Sequence, residues 1–363
     1  MTRKDDIYDI EEDFFSGDRK ESKKERKRAE SSDRSKFKKS DQDQLKKRES
    51  VPSQLPVGRV LAITVDGLIV DAQGTEITCS VKGSLKQDKQ RIKNIIAVGD
   101  FVHFDQKGDR SGVITDIQPR RSILSRADNL SRNKEQIIAV NIDQVFITCS
   151  VVQPPLKSAL IDRYIIAAQK GKMDPIIVIN KIDLLPSSQT EQALYEEVLR
   201  AYEPLNIPVL PVSTVSMEGI DALYARMQGK TSVFSGQSGA GKSSLINLIL
   251  GTNMRTGSVV HKTGKGAHTT TATHLVPLQS GGFCIDTPGI RSFGLWDFQK
   301  EDLLHYFPEF YELDPPCRYP DCSHLSEPDC AVRKAVEENR ISSLRFDSYC
   351  ALMKSLSEQH RLR

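Results

Sequence analysis

Gly236-Gln237-Ser238-Gly239-Ala240-Gly241-Lys242-Ser243 fits the phosphate-loop pattern G-x-x-x-x-G-K-[ST]. Val233 and Phe234 end an apolar run before it. Leu245, Ile246, Leu248 and Ile249 follow at helical spacing, and Gly251 stops that helix. The motif therefore lies between a strand and a helix, the setting it requires. Each residue type has a task. The glycines let backbone N–H groups from Gly236 to Ser244 close around phosphate oxygens. The helix N-terminus adds partial positive charge. Lys242 is a point charge for the β- and γ-phosphates, and Ser243 offers a hydroxyl to Mg²⁺.

Asn180-Lys181-Ile182-Asp183 directly follows another apolar run. A carboxylate at Asp183 can accept from guanine N1–H and from the exocyclic amine together. The Asn180 amide can meet the N7 and O6 edge, and the Lys181 stem can cover the ring. Adenine lacks the matching donors, so such a site rejects it by about 10⁴-fold or more. Ser213, at the end of Val209-Leu-Pro-Val-Ser213, is the candidate second base contact. Downstream, Phe283-Cys-Ile-Asp286-Thr-Pro-Gly289 is a strand ending in D-x-x-G. Asp286 would hold Mg²⁺ through water, and the Gly289 N–H would sense the γ-phosphate. Between these motifs lies the polar loop 262–271, where Thr269, Thr270 or Thr271 would complete the magnesium shell.

The order of these parts is unusual. The base reader precedes the phosphate loop, which is a circular permutation of the common GTPase arrangement. The position after D-x-x-G, often a glutamine that orients water, is Ile290, which can neither donate nor accept. His268 can do both according to its protonation, and it is the candidate for orienting the attacking water.

A second chemistry lies in Cys317-x₄-Cys322-x-His324-x₅-Cys330. Three thiolates and one imidazole suit Zn²⁺ in a closed tetrahedral site of structural type. The four other cysteines of the seven are scattered, a pattern of a reduced cytoplasmic protein rather than a disulfide framework.

The elements that must position these groups follow in order. Residues 1–52 form a charged tail, acidic and then basic, with too little apolar surface to fold. Residues 53–122 carry five short alternating runs, read as an OB-fold β-barrel. Lys82, Lys86, Lys89, Arg91 and Lys93 crowd one connection and suit a nucleic-acid backbone. Residues 123–299 alternate strands with helices, which implies an α/β, doubly wound and mainly parallel sheet. Residues 300–363 form a small zinc-binding unit with two helices, the second spanning Ser342 to Ser357. No run approaches the length of a membrane span, the N-terminus lacks the apolar stretch of a secretory signal, and a monomer is expected.

Barrel, permuted GTPase and Cys₃His segment, in that order, resemble the ribosome-small-subunit-dependent GTPases of the RsgA/YjeQ type. The resemblance runs from about Val57 to the C-terminus and excludes the tail. It rests on Asn180–Asp183, Gly236–Ser243, Gly266-Ala-His-Thr-Thr270, Asp286–Gly289 and the Cys317/Cys322/His324/Cys330 set. It implies GTP hydrolysis stimulated by the small ribosomal subunit, a late role in assembly of that subunit, and contact with its rRNA. It also implies that Thr270 is the switch threonine and that His268 replaces glutamine, beside Lys242 in the catalytic set. The competing reading is an RNA-tethered adaptor in which GTP is a structural ligand. An ATP-dependent kinase is disfavoured by Asn180 and Asp183. His268→Ala is expected to leave GTP binding intact and to lower turnover by about 10²-fold or more in a phosphate-release assay; unchanged turnover removes His268 from the mechanism.

Overall fold

The computed structural model describes residues 55–83, 95–127, 135–251, 273–286 and 298–361. The charged tail, the connection carrying Lys86, Lys89, Arg91 and Lys93, and the segments holding His268, Thr270 and Gly289 lie outside the described residues.

Five strands form the barrel: β1 (Val57–Ile63), β2 (Leu68–Ala72), β3 (Thr75–Val81), β4 (Phe101–Gly108) and β5 (Ser111–Ile117). Their order is β1-β2-β3-β5-β4, and β4 returns to pair with β1 and close it. Only β3 and β5 run parallel. Alternation sends Val60, Val70, Ile77, Val102, Phe104 and Ile114 inward to a core of their own. This is the OB-like barrel expected from the five runs.

A hairpin that the hydrophobic pattern did not announce follows: β6 (Ile123–Ala127) and β7 (Glu135–Val140). Val98 bridges Ala139 beside it, so the hairpin stitches the barrel to the region beyond.

The nucleotide sheet contains β8 (Gln144–Cys149), β9 (Asp174–Ile179), β10 (Val209–Pro211), β11 (Thr231–Gly236), β12 (His274–Pro277) and β13 (Phe283–Asp286). Its order is β10-β9-β8-β11-β13-β12. All neighbours are parallel except β12, which is antiparallel to β13. The helices are α1 (Ser158–Lys170), α2 (Gln189–Tyr202), α3 (Ile220–Met227) and α4 (Lys242–Ile249). Strand alternation explains why both faces are covered. Val145, Ile147, Ile177, Ile179, Val233 and Ile285 point to the side where α1 and α2 pack. Phe146, Ile176, Val178, Phe234 and Cys284 point to the side of α3 and α4. Strands buried on both faces read as continuous apolar runs, which is how the sequence shows them.

The two β units are not separate sheets. Ala62 of β1 pairs with His274 of β12, so eleven strands among the described residues form one continuous ladder.

Two further helices, α5 (Ala331–Glu337) and α6 (Ser343–Arg361), complete the C-terminal unit. Phe307, Phe310, Val332, Ala335, Tyr349, Leu352 and Leu356 build its core, which reaches Ile166 on α1. A buried ion network pins this unit down. The Arg345 guanidinium bonds Asp162 of α1, donates from Nε to Glu309 at 2.7 Å, and donates to the Tyr306 carbonyl at 3.1 Å. Its Cζ lies 4.1 Å from the Phe307 ring centroid. The Tyr202 hydroxyl donates to the same Asp162 at 3.0 Å. Breaking such a pair from one side leaves a buried charge alone. Arg345→Met is therefore expected to cost about 3–5 kcal/mol in urea unfolding, and adding Asp162→Leu should recover part of that loss.

Candidate nucleotide and zinc sites

The phosphate loop leaves the carboxyl end of β11 and enters α4. Three of its glycines have positive φ: Gly236 (125°), Gly239 (76°) and Gly241 (92°). At Gly236 a Cβ would meet the Thr148 carbonyl, and at Gly241 it would overlap the Asn180 amide nitrogen. Those two contacts explain the glycines by close approach as well as by conformation. The Gln237 N–H donates to the Thr148 carbonyl at 3.0 Å, and its side-chain amide donates to Pro155 O at 2.6 Å. Ala240 is buried, while Ser238, Gly239, Ser243 and Ser244 are exposed at the mouth of the loop. Lys242 Nζ folds back to the Gly236 and Gln237 carbonyls at 2.8 and 2.6 Å. Its charge thus stays at the loop, in reach of an anion there.

The Asn180–Asp183 tetrapeptide arrives from the end of β9, two strands away. Asn180 Nδ2 donates to Ala240 O at 2.9 Å. Lys181 Nζ donates to Gly239 O and to Gln153 O, both at 2.8 Å. The base reader and the phosphate loop, reversed along the chain, therefore touch. Asn180 is 1% exposed. Its amide acts as a strut between the two motifs in addition to any contact with the base edge. Asp183 is exposed, and its Oδ1 accepts from Ser213 Oγ at 2.6 Å. Ser213 Oγ in turn accepts from the Val215 and Ser216 N–H groups at 3.1 and 3.0 Å. The Ser213 hydroxyl is thus committed to aiming the carboxylate rather than offered to the base.

On the far side of β11, Val233 pairs with Ile285, so Asp286 ends β13 beside the strand that feeds the phosphate loop. Ser243 stands in the first turn of α4. The Ser243 residue is exposed at that turn, and a hydroxyl is a hard oxygen of the kind Mg²⁺ takes.

In the C-terminal unit, ligand atoms of Cys317, Cys322, His324 and Cys330 all lie within 4.8 Å of one another. Cys317 Sγ is 3.8 Å from Cys330 Sγ, and His324 Nδ1 is 3.5 Å from each. Zinc bonds of about 2.3 Å to sulfur and 2.0 Å to nitrogen, at tetrahedral angles, give edges of about 3.8 and 3.5 Å. The residues present fit that ion. Burial lowers the His324 pKa and so favours its neutral, ligating form. Burial also pushes the Cys322 thiol up to about 12, so a thiolate there needs a cation.

Glu327 escaped the sequence reading. It accepts from Ser323 N and Oγ at 2.9 and 2.6 Å, and from Leu325 N and Ser326 N at 3.1 Å. These bonds, the Ser323 hydroxyl first, hold its carboxyl down at about 2. One carboxylate thus ties the loop that carries His324, whose own φ is 61°. The available signal was an acid within three residues of a ligand in a proline-punctuated loop. Gln153 and Pro155, which contribute only carbonyls, left no signal in side-chain type.

A family model for the RsgA GTPase matches residues 117–296. The small ribosomal subunit biogenesis GTPase RsgA of Chlorobaculum parvum is 41% identical over 311 residues, covering 83% of this chain and 98% of its own length. The protein of that name from Bacteroides fragilis is 35% identical over 287 residues, covering 78% and 92%. This chain belongs to the RsgA GTPase family. It is accordingly a GTP hydrolase. Two solved structures share the fold. YjeQ from Thermotoga maritima has a TM-score of 0.66 at 29% identity, covering 83% of this chain and 98% of its own. YloQ, a circularly permuted GTPase, has a TM-score of 0.64 at 28% identity, covering 86% and 98%. The permutation read from motif order is thus a property of the RsgA GTPase architecture. In this RsgA family chain the contact between Gly241 and Asn180 should be sensitive to a single methyl group. Gly241→Ala is expected to weaken binding of a fluorescent GDP analogue by about tenfold or more. Gly83→Ala, whose added methyl enters open space at a backbone conformation without positive φ, should leave binding unchanged.

Proposed function

We propose that the protein is a GTP-driven assembly factor for the small ribosomal subunit, with turnover stimulated by that subunit. The observation that carries the reading is the bonding of Asn180 and Lys181 to Ala240 and Gly239. That junction makes one guanine nucleotide site from the two motifs, in a chain whose relatives bear the name small ribosomal subunit biogenesis GTPase.

In this reading Asp183, aimed by Ser213, accepts from the guanine edge, and Lys181 covers the base. Backbone N–H groups from Gly236 to Ser244 bind the phosphates, and Lys242 turns from the loop carbonyls to the β- and γ-oxygens. Mg²⁺, when bound, neutralises charge between those phosphates. Ser243, Asp286 and Thr270 are the residues that would hold it. Gly289 senses the γ-phosphate. His268 orients water in the place where Ile290 cannot. Zn²⁺ held by Cys317, Cys322, His324 and Cys330 staples the C-terminal unit. The barrel and the basic connection after Lys82 contact rRNA. The factor works as a monomer in the cytoplasm. No helix among the described residues is long and apolar enough to cross a membrane.

The test is single-turnover hydrolysis of GTP, with ATP as control, measured with and without purified small subunits. Stimulation of GTP turnover and none of ATP is expected. GTP turnover that subunits leave unchanged would instead favour an adaptor that keeps GTP as a structural ligand.

A further inference from the structure

β1, β12 and β13 form a row at the outer side of the nucleotide sheet. Ala62 pairs with His274, and His274 pairs with Asp286. Both pairings are antiparallel, so β1 and β13 run the same way. Ala62 then stands level with Asp286, and Arg59 stands level with Phe283. Among the described residues, Ala62 with His274 is the backbone pair that joins β1 to β12.

A side chain makes a further tie across the same row. The Arg59 guanidinium lies 4.6 Å from the Phe283 ring centroid and 5.1 Å from that of Phe101. It also donates to Asn141 O at 2.9 Å. Asn141 is itself fixed, donating to Gly99 O at 3.0 Å and accepting from Arg121 N at 2.9 Å. One planar cation therefore touches β4 of the barrel, the exit of the β6–β7 hairpin, and the first residue of β13. Arg59 is 8% exposed. Burial draws its pKa down to about 10, with Asp143 opposing, which leaves it charged at neutral pH. An apolar side chain would fill the space without burying a charge. What the guanidinium adds is a flat surface for two rings and a directed hydrogen bond.

We infer that Arg59 is a positioning residue for GTP turnover, holding β13 in place against the barrel so that a load on the barrel reaches the strand end at Asp286. The inference rests on the subunit-coupled reading above. Among the described residues β13 spans Phe283–Asp286. A slip of one residue would move its end by about 3.3 Å and reverse the face of every side chain. The Phe283 N–H bond to Lys230 O at 3.0 Å fixes the strand's start from one side, and Arg59 fixes it from the other.

The test compares the full chain with Arg59→Met and Arg59→Lys. Three quantities are measured: GTP turnover with and without small subunits, sedimentation with subunits, and amide hydrogen exchange across 274–286 without nucleotide. Arg59→Met should keep subunit binding within about twofold and lose about fivefold or more of the stimulation. Its exchange should quicken in β12 and β13 and stay slow in β8 and β9. Arg59→Lys keeps the charge without the plane and should recover only part of both effects. Full stimulation with unchanged exchange in Arg59→Met would overturn the inference. Should Arg59→Met not fold, the same two readouts on Arg59→Lys decide. A wild-type chain that subunits do not stimulate sinks the functional reading instead, and the exchange measurement still decides whether Arg59 holds β13.

Discussion

The amide of Asn180 donates to the Ala240 carbonyl, and the nucleotide site is arranged around that bond. It is buried, so neither partner has water as an alternative, and losing it would leave both groups unsatisfied. It joins segments sixty residues apart. Gly241 is glycine because the same amide occupies the room a methyl would need. Lys181 adds a second tie to the neighbouring carbonyl of Gly239. Order along the chain then ceases to matter to the chemistry. A parallel sheet delivers the ends of β9 and β11 to one edge whichever is made first.

Two buried guanidiniums carry the joints around this core. Arg345 fastens the C-terminal unit to α1 through Asp162, while Glu309 of its own unit holds the guanidinium in place. Arg59 fastens the barrel to β13 through two rings and a carbonyl. Both positions call for a planar group with several fixed donors, which a lysine does not supply. The catalytic sheet is thereby held from two sides, by the barrel at its β12–β13 edge and by α6 over α1.

The C-terminal unit combines a small aromatic core with the Cys₃His cluster. Phe310 and Tyr349 pack at their edges against each other and near His324, with Phe310 5.7 Å from the imidazole. The Tyr349 hydroxyl donates to the Ser323 carbonyl at 3.1 Å, and Glu327 gathers the N–H groups on the other side of that loop. The ligands are thus oriented by their neighbours, as metal sites generally require.

Motif residues were legible because their chemistry depends on local spacing. The phosphate loop, Asn180–Asp183 and the four zinc-type ligands are each read within a dozen or so residues, and the barrel strands show themselves by alternation over a few residues. Strands β6, β7 and β12 were not legible: β12 depends on pairing with β1 and β13, and β6 and β7 are short runs that pair with each other beside the Val98–Ala139 bridge. Ser213 was read as a base contact, whereas its hydroxyl bond to Asp183 links separate loops and could not be read from local spacing. Glu327, Arg59 and Arg345 looked like ordinary charged residues. The chain's own residues determined which chemistry is present and in what order it is written. Only the tertiary structure decided which motifs touch, which charges are buried and how the barrel continues the sheet, because those outcomes depend on contacts between residues distant in sequence.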